Sequence, residues 1–196
     1  MLNRKALTEG FHDVRDQDSP EHCACEVLVL GCGNELFGDD GFGPAVARRL
    51  REEPDLPRDV CVLDAGLAVR KVLFDVLLGP QRPRRIVVVD AVDLGRRPGE
   101  VWRMNASDLP EVKLDDFSMH QLPTSNLLRE LSELAGVEVT CVAGQVSSFP
   151  QEVRPGLSGP MRSAVDRAVR MVLDACRGPY EGCIGAARAD AESDGA

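Results

Sequence analysis

Apolar runs too short for helices, alternating with segments of helical periodicity, restrict this chain more than any other feature. Glu26-Val27-Leu28-Val29-Leu30 is apolar without alternation, the pattern of a strand buried on both faces. Val60–Asp64, Arg85–Asp90 and Val137–Ala143 repeat it, and Glu100–Asn105 reads as an edge strand. Helices are expected from Pro44 to Leu50, with proline in the first turn and Asp40 or Gly41 at the cap, and from Val69 to Leu78. A third runs over Leu122–Leu134, where residues 127, 128, 131 and 134 share one face. Ser158 caps a fourth from Gly159 to about Cys176. Strands alternating with helices require parallel crossovers. The expected fold is α/β: three-layer αβα, a twisted, mostly parallel sheet of about five strands with helices on both faces.

The 196 residues suit one domain. Residues 1–25 read as a flexible lead-in, 26–177 as the folded unit, and 178–196 as a disordered acidic tail with little to bury. A net charge of −9 argues against nucleic acid as a partner, because phosphate binding needs concentrated Lys and Arg. The one short basic run, Arg82-Pro83-Arg84-Arg85, reads as a solvated loop. No stretch approaches the roughly 20 apolar residues of a membrane span, and residues 1–21 lack the apolar core of a signal peptide. A cytoplasmic protein is expected. Its seven cysteines should then mostly be free thiols. Cys23-Ala-Cys25 with Cys32 is a weak metal candidate: the spacing is not C-x-x-C and no second pair follows.

In such a sheet, chemistry gathers at the carboxyl ends of the strands. There the chain places Asp39 and Asp40 after the first strand, Asp64 ending the second and Asp90 ending the third. His120, in Ser118-Met119-His120-Gln121, is the one histidine within the expected folded unit; His12 and His22 lie in the lead-in. Two carboxylates and an imidazole suit a divalent transition metal with open positions that polarise a carbonyl or a water. The same carboxylates could work as a general acid–base pair without a metal of their own. Spacing does not choose between these. Each residue also has a plainer role: Asp40 as a helix cap, Asp64 and Asp90 as turn formers, His120 as a satisfied loop histidine.

A dinucleotide site is the rival suggested by Gly31-Cys32-Gly33 followed by an acid at Asp64. The third glycine would fall at position 36, which is Leu36, and Asp39 and Asp40 stand where a pyrophosphate needs neutral or positive surroundings.

Gly31-Cys32-Gly33-Asn34-Glu35-Leu36-Phe37-Gly38-Asp39-Asp40-Gly41-Phe42-Gly43 resembles the G-x-G-N-x-L-x-x-D-[DE]-x-x-G signature of the hydrogenase maturation endopeptidases. The resemblance continues in order through Leu63-Asp64-Ala65-Gly66, Val89-Asp90-Ala91, Ser118-Met119-His120-Gln121 and Gly156-Leu157-Ser158, covering roughly Glu26 to Arg177. The run from His120 to Leu128 looks most like the branch serving coenzyme F-420-reducing hydrogenases. The resemblance implies an endopeptidase that removes the C-terminal peptide of a [NiFe]-hydrogenase large-subunit precursor after nickel insertion. Aspartic-type and metal-assisted cleavage both remain open. It implies Asp40 and Asp90 as catalytic groups and Asp40, Asp90 and His120 as metal contacts, with Gly31, Gly33, Asn34, Asp39 and Asp64 supporting the loops. The metal is Ni²⁺ presented by the precursor, for which Cd²⁺ or Zn²⁺ can substitute. The expected partner is that precursor, with neither nucleic acid nor membrane, and the expected state a monomer. The alternatives are a dinucleotide-binding oxidoreductase and a non-catalytic, nickel-checking assembly factor. Two departures stand out. Asp40 is one methylene shorter than the Glu of some relatives, and Gly144–Ser148 lacks a proline common there.

Overall fold

The computed structural model describes residues 25–79, 81–105 and 125–179. Most of the lead-in (1–24), most of the acidic tail (180–196), and His120 with its loop (106–124) lie outside the described residues.

The apolar runs become the strands β1 (Val27–Cys32), β2 (Val60–Gly66), β3 (Arg85–Val92), β4 (Val101–Asn105) and β5 (Glu138–Gln145). They form one five-stranded sheet in the order β2-β1-β3-β5-β4. β1 pairs in parallel with both β2 and β3, β3 pairs in parallel with β5, and β4 closes the edge antiparallel to β5. The four α-helices among the described residues are α1 (Phe42–Arg51), α2 (Val69–Leu78), α3 (Ser125–Ala135) and α4 (Gly159–Arg177). All four pack on the sheet, two to a face. Leu28, Leu30, Ile86 and Val88 meet α2 and α3, through Val72, Leu73, Leu128 and Leu131. Val27, Val29, Val87 and Val89 meet α1 and α4, through Phe42, Val46, Met161 and Val172. The two-residue side-chain period of each central strand thus fills both cores, which explains the absence of polar alternation in the sequence. This is the expected three-layer α/β fold.

Arg85 departs from expectation. It belongs to the basic run read as a solvated loop, yet it is 4% exposed. Its guanidinium donates to the carbonyls of Ala175 (2.6 Å), Gly178 (3.1 Å) and Pro179 (2.9 Å) and pairs with Glu138 at 2.7 Å. A helix end leaves its last carbonyls without intrahelical donors, and Arg85 supplies them for α4. Its partners lie 53 to 94 residues away, so local composition carried no sign of them.

Among the described residues Cys25, Cys32, Cys141 and Cys176 are free, and Cys61 is disulfide-bonded. No helix of the described residues is long and apolar enough to cross a membrane.

Candidate active site

The carboxyl end of the sheet is built on a loop that sequence periodicity does not resolve. After β1 the chain turns at Gly33, whose φ is +117°, where a Cβ would lie 1.9 Å from the Asp40 carbonyl oxygen. Only glycine tolerates both the left-handed backbone and that approach. The chain then winds through a short 3-10 turn, Gly38–Gly41, directly into α1. Gly43 lets α1 cross hard against the sheet: a Cβ there would meet Cys32 O at 2.2 Å and Val89 O at 2.4 Å.

Within this frame, Asn34 closes the turn twice over. Its side-chain oxygen accepts the Leu36 N–H at 3.0 Å, and its own N–H donates to Oδ2 of Asp40 at 2.9 Å. Asp40 therefore does not cap α1. Gly41 holds the cap position and no side chain caps it. The contact also answers the dinucleotide reading, because a backbone N–H of the kind that would face a phosphate is occupied by a carboxylate.

Asp39 points the other way and is 3% exposed. Its Oδ1 accepts the Ser158 N–H (2.7 Å), and its Oδ2 accepts the Ser147 N–H (2.9 Å) and the Ser158 hydroxyl (2.9 Å). A buried carboxylate is tolerated when donors fill its lone pairs, and three do so here. One side chain thereby fastens the β1–α1 loop to the β5–α4 loop and to the start of α4. Ser158 is the N-cap of α4, as its position before the long helical pattern suggested, and its Oγ accepts the Met161 N–H at 3.4 Å.

Asp90 is the one part-buried residue of β3, and its Oδ1 accepts the Ala91 N–H at 2.8 Å. Burial pushes its carboxyl up from 3.8 to about 7; the Ala91 hydrogen bond lowers it and the charge of Asp40 raises it further. Asp64 is exposed near the end of β2, in register with Gly31. The buried Cys32 thiol is pushed well above its ordinary range by burial first, then by Asp90, Cys141, Asp64 and Asp40. The charges of Asp90, Asp64 and Asp40 therefore all act on one thiol. Among the described residues no three His, Cys, Asp or Glu are grouped so as to hold a metal ion. His120, the third expected contact, is not among them.

Several groups at this end had escaped sequence reasoning. Ser147 and Ser158 hold Asp39. Gln145, 2% exposed, accepts the N–H groups of Leu94 and Arg96 and donates to Asp93, fixing the loop after Asp90. The absence of a proline just after Gly144 thus coincides with a side chain that pins the neighbouring loop. A buried glutamine inside a strand pattern was the available signal.

The arrangement offers two neighbouring carboxylates at the carboxyl edge of a parallel sheet, one of them able to exchange a proton near neutral pH. Residues 44–175 match the family model for hydrogenase maturation proteases. The chain belongs to that family. It is 36% identical over 152 residues to the coenzyme F420 hydrogenase subunit delta of Methanothermobacter thermautotrophicus, covering 76% of this chain and 93% of that one. It is 29% identical over 170 residues to the hydrogenase 3 maturation protease of Escherichia coli K12, covering 85% and 98%. Among solved structures it resembles the E. coli hydrogenase maturating endopeptidase HybD. The TM-score is 0.64 at 26% identity, over 78% of this chain and 92% of the other. Membership makes this hydrogenase maturation protease a hydrolase that processes a hydrogenase precursor.

Proposed function

We propose that this protease removes the C-terminal peptide of a [NiFe]-hydrogenase large-subunit precursor after nickel insertion, and that its substrate belongs to a coenzyme F420-reducing hydrogenase. The observation that carries the chemistry is Asp90, held near pKa 7 beside Asp40 at the sheet's carboxyl edge. The hydrogenase branch rests on the resemblance to the F420 hydrogenase subunit delta.

Nickel enters as part of the substrate. Asp40, Asp90 and His120 supply oxygen and nitrogen donors suited to contact it, and the ion then polarises the scissile carbonyl as a Lewis acid. An ionised carboxylate of the Asp40–Asp90 pair takes a proton from water as the water oxygen bonds to the carbonyl carbon. The C–N bond breaks with that proton delivered to the leaving amine, which yields a new carboxyl and a new amino terminus. Asp90 fits the shuttle because a group near pKa 7 both accepts and returns a proton at neutral pH. Cleavage of this kind proceeds in the cytoplasm.

Incubation with nickel-loaded precursor is the test. The expected result is a small mass loss from the precursor's C-terminus and none from nickel-free precursor. An intact nickel-loaded precursor would reduce the protein to an assembly factor. Asp40→Asn then separates the roles. Cleavage lost with retained binding of nickel-loaded precursor assigns Asp40 to proton transfer; loss of both assigns it to the metal.

A further inference from the structure

Beside the acid-bearing loop lies a cavity of about 310 Å³, lined by Gly38, Asp39, Ser147, Arg154, Ser158 and Arg162 among others. Its volume lies at the lower end for ligand pockets, enough for one or two residues of a polypeptide. Asp39, the residue before Asp40 in the chain, is in its wall.

The charge of this wall is the unusual feature. The chain carries −9 overall, yet the residues lining the cavity include two arginines and a single acid. That carboxylate, on Asp39, is buried and filled by three donors. Among the described residues neither Arg154 nor Arg162 pairs with an acid. The Arg162 side chain donates to the Leu157 carbonyl at 3.0 Å. Arg154 is fixed by its backbone alone, which donates to Leu36 O and accepts from Gly38 N–H, both at 2.8 Å. The Arg154 backbone is thus fixed at the cavity, and its exposed side chain has no partner among the described residues. The N-terminus of the nineteen-residue α4 lies on the same side, its Ser158 N–H already bonded to Asp39.

We propose that this cavity is a carboxylate subsite, with Arg154 as its principal binding residue, that takes an acidic group of the polypeptide being processed. The inference rests on the proposed endopeptidase function, since that supplies a peptide chain at Asp40. An extended peptide advances about 3.3–3.6 Å per residue, and the proposal places the acidic group a few residues from the scissile bond. Two sources share this chemistry: the free C-terminus of the precursor and an Asp or Glu side chain near the cut. Arg binds either with a planar, two-pronged donor set.

The test measures binding separately from cleavage. The full-length protein and its Arg154→Gln, Arg162→Gln and Arg82→Gln variants are titrated with a fluorescent synthetic peptide spanning the precursor's C-terminal extension. Arg154→Gln keeps both backbone hydrogen bonds, and circular dichroism checks that it folds. The expected result is at least tenfold weaker binding for Arg154→Gln, a smaller loss for Arg162→Gln and none for Arg82→Gln. Amidating the peptide's terminus, or replacing its acids by amides, removes the wild-type advantage in the arm that carries the source. Equal affinity of wild type and Arg154→Gln, or an advantage that survives both replacements, overturns the subsite. Failure of the wild type to cut nickel-loaded precursor overturns the endopeptidase reading alone, because the peptide titration still decides whether the cavity takes a carboxylate.

Discussion

Replacing Asp90 by Asn should make the metal-free protein more stable, and by an amount that depends on pH. In the folded state the Asp90 carboxyl titrates near 7, against 3.8 for an ordinary aspartate. Below pH 3.8 both folded and unfolded chains hold the proton and the group contributes nothing. Between 3.8 and 7 the unfolded chain releases it while the folded chain retains it, so stability falls as pH rises. Above 7 the full cost remains. Raising the value from 3.8 to about 7 corresponds to about 4 kcal/mol at 1.36 kcal/mol per pH unit. Asp90 is only part-buried, so water screens some of that cost and about 2 kcal/mol is the lower figure. Asn is uncharged at every pH, and its side-chain oxygen still accepts the Ala91 N–H. The variant should therefore match wild type near pH 4 and exceed it by about 2–4 kcal/mol at pH 8. For a protein of this size that is roughly 4–16 °C in melting temperature. The assay is thermal or urea unfolding of chelator-treated protein at half-unit steps from pH 4 to 8.5. A gap that stays constant across that range, or that favours wild type at pH 8, would refute the reasoning, because either result means that burial does not disfavour the Asp90 charge.

Three further outcomes follow from geometry. Asp39→Ala removes the acceptor of the part-buried N–H groups of Ser147 and Ser158 and should cost about 1–3 kcal/mol in urea unfolding; a loss below about 0.5 kcal/mol would show that water replaces the carboxylate. Gly43→Ala should destabilise by about 3 kcal/mol or more, since its Cβ meets backbone at 2.2–2.4 Å. Gly159→Ala, with nothing within 4 Å, should be near neutral, and equal melting temperatures for the two variants would contradict the packing of α1. Arg85→Met should cost about 3–5 kcal/mol by leaving Glu138 and the α4 carbonyls without their donor; differential scanning calorimetry showing an unchanged melting temperature would remove Arg85 from its capping role.

Much of this architecture is legible in the sequence because the sheet is buried on both faces. Arg85–Asp90 has no polar interruption before its acid, and such a run has few alternatives to a central strand. The α2 span, Val69–Leu78, agrees with its periodicity end to end, and Ser158 announces α4 by the chemistry of capping. The residues that escape are those whose partners are distant. Gly38–Gly41 forms a 3-10 turn because Asp39 is drawn 119 residues along the chain to Ser158 and Gly38 is held by Arg154. No window of a dozen residues contains that information. Arg85 was misjudged for the same reason. At the acid site, sequence supplied the candidates but not their environment. Asp40 and Asp90 look alike as strand-end aspartates, and the fold gives one a backbone donor six residues back and the other a place where its charge is costly.

The clasp made by Asp39 also bears on the order in which the protein becomes competent. A ribosome delivers the acid loop early, but the serines that hold it arrive only with residues 147 and 158. Until then Asp39 has no buried donors to satisfy, and the loop carrying Asp40 lacks its anchor. A nascent or truncated chain ending before Ser147 would thus have Asp39 and Asp40 in its sequence without the clasp that ties their loop to the β5–α4 loop. The setting of the acid loop is in this sense timed by the segment that runs from β5 into α4.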